Sequence, residues 1–580
     1  MAQRAPQQQQ QKFIALMETA LRNHRAGKLE LARSGYQSAL RLMPRHADAI
    51  HLLGVIHRQT GDHARAIELI DKAIALKPNA AVYHSNRAAV LHDLGRPAEA
   101  RACVERALEL DPGLIDAMMR LARLDKEDGA DDRSLVTLGK VLAIDPDHVG
   151  ALDSIAQIHT RASRYAAALP FYRRVRELRP DDRRALREVV VCEMTMREYH
   201  AALDSLEMCL THFPDDVEFR NFLAAAFYHL GLFDESKTVI ASIDPKDVTP
   251  GIVVTDTLVD MARYDFAAAL QKLTPIYAEH PENDSIGWNL SLINLGLGNL
   301  EAGWDLYDLR LGIDHIGIRR MSLPLPFWDG QPAPGKRLLL WSEQGVGDTI
   351  RMISLLGEAI ARTGKVTVAC DPRLVTIVAR SMPGIDVISL QTIRPEEHDL
   401  QLSLGSLPTF FRRSFAEFDV PPRFVVPDRR RRLQYASLAR RLGPAPVVGL
   451  CWRSRNTQGV RSRYYLDLME LGPIVSVPGI SFVNTQYNCT IEELEAFYNH
   501  TGLVIHSLPD LDQKQDIDGS VSLIDCCDLV ITANTVVGDI AGASACPAGA
   551  SAASRMACSP SASRTRPGTR RRASSRSPAR

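Results

Sequence analysis

The sequence predicts an α-helical solenoid followed by an α/β domain made of two Rossmann-like halves, the second of them truncated. Three observations carry the prediction. Prolines 44, 78, 112, 146, 180 and 214 recur every thirty-four residues, and helical periodicity stops after Leu311 in a stretch rich in proline and glycine. From Arg337 onward, short apolar runs alternate with amphipathic segments, which is the pattern of a parallel sheet. Composition sets the outer limits. The 580 residues hold 69 Lys and Arg against 69 Asp and Glu, so no basic excess marks a nucleic-acid binder, and no apolar run is long enough to cross a bilayer. The opening "MAQRAPQQQQQKF" lacks the apolar core of a secretory signal, which predicts a cytoplasmic protein with a disordered glutamine-rich leader over 1–12. Ten cysteines without a C-x-x-C pair argue against a disulfide framework or zinc site. Cys526 and Cys527, in an apolar helical stretch, read as small buried thiols.

Thirty-four residues is the tetratricopeptide period. Small residues keep the same register: Ala32, Ala66, Ala100, Ala168 and Ala202 at one helix crossing, and Gly27, Gly61, Gly95, Gly129 and Gly231 at the turn between paired helices. Alanine lets two backbones approach, glycine relieves the turn's φ constraint, and proline closes the second helix without needing its amide donor. Six repeats run in strict register from Lys12 or Phe13 to about Phe213, and looser ones continue to 317, about nine in all. The seventh and eighth end near Pro245 and Pro281. The last, "SIGWNLSLINLGLGNLEAGWDLYDLRLG", carries Trp288, Trp304 and Tyr307 and is expected to cap the stack against the adjoining α/β domain. A concave groove for an extended peptide or another protein is the expected product, although the period does not name the occupant.

Residues 318–336, including "MSLPLPFWDGQPAPGKR", read as a linker. The first α/β half, 337–427, shows strands at "RLLLWS", "KVTVAC" and "DVISL" with helices to about Thr363 and near Pro372 to Arg380. A charged linker over 428–446 separates it from the second half, 447–543, with strands at "VVGLCW", "SFVNTQ", "LVIHSL" and "DLVITA". Arg429, Arg430, Arg431 and Arg432 read as a solvated helix face.

The turn after the first strand, "WSEQGVGDTIRMIS", raises the functional question. Gly345-x-Gly347 opens like a dinucleotide fingerprint, but Ile350 stands where a third Gly or Ala belongs, and no Gly-Lys-Ser/Thr comes after it. A carboxylate at Asp348 would also repel a pyrophosphate at that helix N-terminus. Two readings stay open. Asp348 is an ordinary helix-capping residue, or it accepts a proton from a hydroxyl brought to the cleft.

The phrases "FWDGQPAPGKRLLLWSEQGVGDTIRMISLL", "CDPRLVTIVARSMPGIDVI", "VGLCWRSRNTQGVRSRYY", "FVNTQY" and "DLDQKQDIDGSVSLIDCCDLVITANTVVGDIAGA" resemble bacterial tetratricopeptide-repeat proteins with a C-terminal glycosyltransferase-like domain. Those proteins are related to the ADP-heptose:lipopolysaccharide heptosyltransferases and, in architecture, more distantly resemble O-GlcNAc transferases. The resemblance spans most of 300–543 and implies a GT-B fold, inverting transfer and a nucleotide-diphosphate sugar as donor, with no further cofactor. It implies that Asp348 is the general base, with Gly345 and Gly347 letting the acceptor approach the backbone. On the donor side, the loop at Trp452, Arg453 and Ser454 offers amides, a hydroxyl and a cation to phosphate. Arg461 and Arg463 would neutralise the leaving diphosphate, unless they lie on a solvent-facing loop. Gln486, Asn534, Thr535 and Asp539 complete the expected donor set. The chain departs from the heptosyltransferases here, which tend to have Asp-Thr and a later His where it has Asn534, Thr535 and Asp539.

Asp510, Asp512, Asp516 and Asp518 imitate a metal-binding Asp-x-Asp but read as a solvated loop, so no metal is expected. His398 and His506 lack ligand or triad spacing. After Ala543 the chain contains no Leu, Ile, Val, Phe, Tyr, Trp, Asp, Glu or Lys, and residues 544–580 are expected to form neither strand nor packed helix. The abrupt change reads as a frameshift near codon 544 that impairs the chain as an enzyme, with an arginine-rich nucleic-acid or membrane tail as the alternative. Two function classes emerge: a glycosyltransferase whose repeats present a protein or glycan acceptor, or a non-catalytic scaffold with a vestigial transferase domain.

Overall fold

The computed structural model describes residues 4–313, 318, 321–418, 423–443, 446–454, 465–508 and 510–550. The chain divides into two compact units after Pro214. The first is six antiparallel helix pairs: α1 (Arg4–Arg25) with α2 (Leu29–Leu42), α3 (Ala47–Gln59) with α4 (His63–Leu76), and α5 (Ala81–Asp93) with α6 (Pro97–Leu110). They are followed by α7 (Ile115–Glu127) with α8 (Asp131–Ile144), α9 (Val149–Arg161) with α10 (Tyr165–Leu178), and α11 (Arg183–Thr195) with α12 (Tyr199–His212). The expected disordered leader is corrected: α1 begins at Arg4. Glutamine is a good helix former, and Gln9 Nε2 donates to the Leu42 carbonyl at 3.1 Å.

Two backbone constraints repeat in every pair. Each second helix stops two residues before a repeat proline, and the residue between them (Met43, Lys77, Asp111, Asp145, Arg179 or Phe213) has φ between −130° and −143°. The pyrrolidine ring excludes its predecessor from the α region, so the helix cannot continue. At the turn inside each pair, Gly27, Gly61, Gly95 and Gly129 have φ of 70° to 82°. A Cβ there would meet nothing within 4 Å, so the angle and not the space selects glycine. In the fifth and sixth pairs Ser163 (φ 56°) and Arg197 (φ 64°) adopt the same turn without glycine. The crossing alanines are buried, and Ser134, which takes their place in the fourth pair, donates Oγ to the Ala122 carbonyl at 2.8 Å.

The second unit opens with three more pairs in looser register: α13 (Val217–Leu230) with α14 (Phe233–Ala241), α15 (Pro250–Ala262) with α16 (Phe266–Glu279), and α17 (Asp284–Leu297) with α18 (Leu300–Tyr307). A tetratricopeptide solenoid thus occupies the first three hundred residues or so. Its last pair ends in an aromatic cluster, with Tyr307 4.8 Å from Trp304 and 5.1 Å from Trp288 between ring centroids, packed with Phe418 of the α/β region.

The α/β region holds two four-stranded, all-parallel sheets. The first comprises β1 (Arg337–Trp341), β2 (Lys365–Cys370), β3 (Asp386–Ser389) and β4 (Leu400–Ser403) in the order β3-β2-β1-β4, with α19 (Val346–Met352), α20 (Leu356–Thr363), α21 (Pro372–Ser381) and α22 (Pro408–Phe411). The short strand β4 has no counterpart in the sequence reading. The expected linker before β1 is also partly built in. Gln401 of β4 donates Nε2 to the Leu323 and Leu325 carbonyls at 3.1 and 2.8 Å, and Trp328 is buried. The expected inter-half linker is a helix, α23 (Arg429–Leu442), with Asp428 accepting from the Arg431 amide at 2.8 Å.

The second sheet comprises β5 (Val447–Cys451), β6 (Ser481–Asn484), β7 (Leu529–Thr532) and β8 (Ala548–Ala550) in the order β6-β5-β7-β8. Its helices are α24 (Gly472–Val475), α25 (Ile491–Thr501), α26 (Ile517–Ile524) and α27 (Val536–Ala543). "LVIHSL" supplies only an isolated bridge, Val483 to His506. Cys526 and Cys527 fall in the turn after α26, with Cys527 buried and Cys526 half-buried. The expectation for 544–580 is corrected at its start. Residues 548–550 pair with Val530, Ile531 and Thr532 because the ladder uses backbone groups that Ala and Gly also carry, and Cys546 is buried beneath it. Residues 551–580, on which the rest of the tail reading falls, lie outside the described residues.

Replacing a left-handed non-glycine residue by glycine should relieve strain. Arg197→Gly and Ser163→Gly are each expected to stabilise the protein by ~1 kcal/mol, and Gly61→Ala to destabilise it by ~1–2 kcal/mol. Urea midpoints of the three variants check this.

Candidate functional site

Parallel sheets leave a crevice beyond the carboxyl ends of their strands where the winding direction switches. In the first sheet that point lies between β1 and β4, and the crevice is lined by Ser342, Glu343 and Gln344 after β1, Leu404 and Gly405 after β4, and Asp348 and Thr349 of α19. In the second it lies between β5 and β7, lined by Cys451, Trp452, Thr532 and Ala533. The helices leaving β1 and β7 meet directly. A Cβ on Gly347 in α19 would sit 2.2 Å from Asp539 Oδ2 and 3.4 Å from Val536 Cα in α27. Gly347 therefore packs against α27, where a side chain would displace the Asp539 carboxylate.

Asp348 sits at the third position of α19, where its Oδ2 accepts the Gly345 amide at 3.2 Å. Its Oδ1 is ion-paired with Arg351, whose Nε lies 3.3 Å from Asp539 Oδ1. The result is a carboxylate–guanidinium–carboxylate bridge between the two halves. Gln344, with its amide oriented to satisfy its neighbours, donates to Asp348 Oδ1 and accepts from Arg310 Nε and Tyr307 Oη, each at 3.2 Å. Burial pushes Asp539 up to about 6; Arg351 opposes the rise and Asp348 adds to it.

Arg310 is the functional-site residue that sequence reading missed. It lies in the turn Asp308–Gly312 after α18 and is fully buried. Its Nη2 donates to Glu343 Oε1 (2.8 Å), Ser403 Oγ (2.8 Å) and Ser406 Oγ (3.2 Å), and its Nη1 to Asp308 Oδ1 (2.6 Å) and the Tyr307 carbonyl (2.9 Å). Burial pulls its pKa down, but Glu343, Tyr307 and Asp308 outweigh that and hold it above the ordinary value. Gly405 leaves room for the Glu343 carboxylate, which would lie 2.2 Å from a Cβ there. The available sequence signal was a single arginine inside the apolar phrase "LYDLRLG". Glu343, Ser403 and Ser406 stand far along the chain, so the pattern alone could not find them.

On the second sheet, several expected donor groups are already engaged. The Trp452 and Arg453 amides both donate to Gln486 Oε1, at 3.0 and 2.9 Å. Gln486 therefore occupies the amide cradle that was assigned to phosphate. Arg453 pairs with Glu493 at 2.5 Å, and Ser454 Oγ is 3.1 Å from Tyr487 Oη. Thr535 caps α27 by accepting the Val537 amide, whereas Asn534 is exposed. Arg461 and Arg463 lie outside the described residues. Asp512 caps the Lys514 and Gln515 amides, Asp516 pairs with Arg431 of α23, and Asp518 pairs with Arg380. Asp516 and Asp518 thus hold elements together, whereas Asp510 and Asp512 are exposed as a solvated loop requires. Arg429 and Arg430 are exposed, while Arg432 pairs with Asp525.

Comparison with known proteins locates the repeats. Residues 35–107 match the family described as "Anaphase-promoting complex, cyclosome, subunit 3". Over 272 residues the chain is 29% identical to Protein FlbA of Caulobacter vibrioides, covering 44% of this chain and 46% of that protein, so it spans less than half of that relative. Over 79 residues it is 39% identical to the TPR repeat-containing thioredoxin TTL4 of Arabidopsis thaliana, covering 13% of this chain and 11% of that protein. Among solved structures it is similar to PilF of Pseudomonas aeruginosa, at 19% identity and a TM-score of 0.33, covering 37% of this chain and 98% of that one. Among the described residues no helix is long and apolar enough to cross a membrane.

Two outcomes are expected from this geometry. Arg310→Leu strands a buried Glu343 carboxylate and should cost ~3–5 kcal/mol, most of it recovered in Arg310→Met/Glu343→Leu, as urea unfolding of both will show. Asp539 binds its proton more tightly folded than unfolded, so its stabilising contribution is complete below about pH 4 and is lost as pH rises through about 6. Asp539→Asn should therefore match the parent near pH 4 and exceed it by up to ~3 kcal/mol at pH 7, measured by denaturant midpoints across that range.

Proposed function

We propose that the chain is a cytoplasmic partner-binding scaffold carrying a glycosyltransferase of the GT-B type. It transfers a sugar, with inversion, from a nucleotide-diphosphate donor to a protein or glycan acceptor held by the repeats. The observation that carries this reading is the convergence of the two switch points: α19 and α27, which leave β1 and β7, meet at Gly347 and Asp539, so the carboxyl ends of both sheets adjoin. Two parallel sheets facing each other across their switch points is how a two-substrate transfer is arranged, with acceptor on one half and donor on the other. Asp348 stands at that junction as the candidate base. Arg351 holds it in place until an acceptor hydroxyl displaces the pair; the carboxylate then takes the hydroxyl proton as the acceptor oxygen attacks the anomeric carbon and the nucleoside diphosphate departs with the electron pair of the broken C–O bond. The exposed Asn534 is the donor-side group left for ribose or phosphate.

A specific observation favours a second reading, a scaffold without catalysis. Asp348 is already bound by Gly345 and Arg351, and Gln486 fills the amide cradle after β5. Titration calorimetry with UDP-, GDP- and ADP-sugars, followed by turnover of the one that binds, separates the two. On the transferase reading, Asp348→Asn lowers turnover by about 10²- to 10⁴-fold while donor affinity is kept. Failure of every donor to bind leaves the scaffold alone.

A further inference from the structure

Helix α23 turns a basic face to solvent. At about 3.6 residues per turn, Arg429, Arg440, Leu433, Ser437, Arg430 and Arg441 follow one another around an arc of about 120°, and all six are exposed. The opposite side packs inward through Ala439, Tyr435 and Leu442.

The acids bonded to this helix are committed to other groups. Asp428 accepts the Arg431 amide, Asp516 pairs with the Arg431 side chain, and Asp525 pairs with Arg432 and with Arg423. Arg429, Arg430, Arg440 and Arg441 have neither an ion pair nor a side-chain hydrogen bond among the described residues. Folding does not account for the set. The helix dipole disfavours the two arginines of the first turn about as much as it favours the two of the last.

Leu433 stands between the arginines. Arg429 and Arg440 flank it on one side of the arc and Arg430 and Arg441 on the other, and it is 59% exposed. A convex face with cations spread over about 18 Å of helix offers no pocket for a single anion. It fits anions laid out in a plane. Phosphate headgroups of a bilayer meet the four guanidinium groups, while a leucine among them enters the acyl boundary just below. A nucleic-acid backbone would use the arginines and leave the leucine in water.

We propose that this face of α23 is a membrane-contact surface, seating the α/β region on a bilayer rich in anionic phospholipid. The inference stands apart from the transferase reading and does not require it.

The test is co-sedimentation of the full chain with vesicles of phosphatidylcholine alone or of phosphatidylcholine mixed with phosphatidylglycerol. The chain should bind the mixed vesicles and not the neutral ones. Replacing all four arginines together, Arg429→Gln, Arg430→Gln, Arg440→Gln and Arg441→Gln, should lower partitioning at least about tenfold, whereas four Lys replacements should keep most of it. Leu433→Gln should lower it about threefold. The arginines of 551–580 are the same in every variant, so the differences report α23 alone. The four-Gln variant should melt no lower than the parent, because the arginines it removes hold no partner; a lower melting temperature would assign them to structure and overturn the proposal. Undiminished vesicle binding by that variant overturns it as well. A short DNA duplex that displaces the parent from vesicles through the same arginines would reassign the face to nucleic acid and overturn it as a membrane contact.

Discussion

A buried guanidinium organises the second unit. Arg310 leaves the last helix pair and delivers a positive charge to the carboxyl ends of β1 and β4, where Glu343 meets it in a setting fully removed from water. Two charges in that environment are stable only if every remaining donor and lone pair is answered. Asp308 and the Tyr307 carbonyl answer from the end of α18, and Ser403 and Ser406 from the end of β4. The last repeat and the first sheet therefore cannot shift independently without stranding a charge. Asp348 is attached to the same network through Gln344, so the candidate base inherits its position from the solenoid's final turn.

The junction of the two sheets obeys a related logic. Gly347 and Asp539 come so close that a larger residue would displace the carboxylate, and Arg351 stands between two carboxylates that would otherwise repel. Where such an acid is desolvated, its proton affinity rises, as for Asp539. An arrangement of this kind serves either as a catalytic centre held closed before its substrates arrive or as a structural clasp. The chemistry of the residues alone is the same in both cases.

How much could be read in advance varied along the chain. The helix pairs of the solenoid were legible because proline and the left-handed turn act on their immediate neighbours. The left-handed turn at Ser163, Arg197 and Tyr264 was not, because neighbouring repeats impose it against local preference. In the α/β region the apolar strands β1, β2, β5 and β7 announced themselves. β4 did not, since Gln401 and Ser403 are buried through hydrogen bonds rather than apolar character. β8 was read as disordered tail because Ala and Gly carry no strand preference, although their backbone groups complete the ladder equally well.

The sequence by itself determined the period of the solenoid, the place where it ends and the alternation that builds parallel sheets, because each is written in residues adjacent in the chain or one period apart. It also placed Asp348 at a strand-to-helix turn. Only the tertiary structure decided what that acid touches, that Gln486 closes the loop amides after β5, that Asp539 faces Gly347, and that Arg310 meets a buried carboxylate. The reason is electrostatic and geometric. The state of a charged group depends on which partners the fold brings within a few ångströms and how much water it removes, and neither quantity is encoded at the position itself.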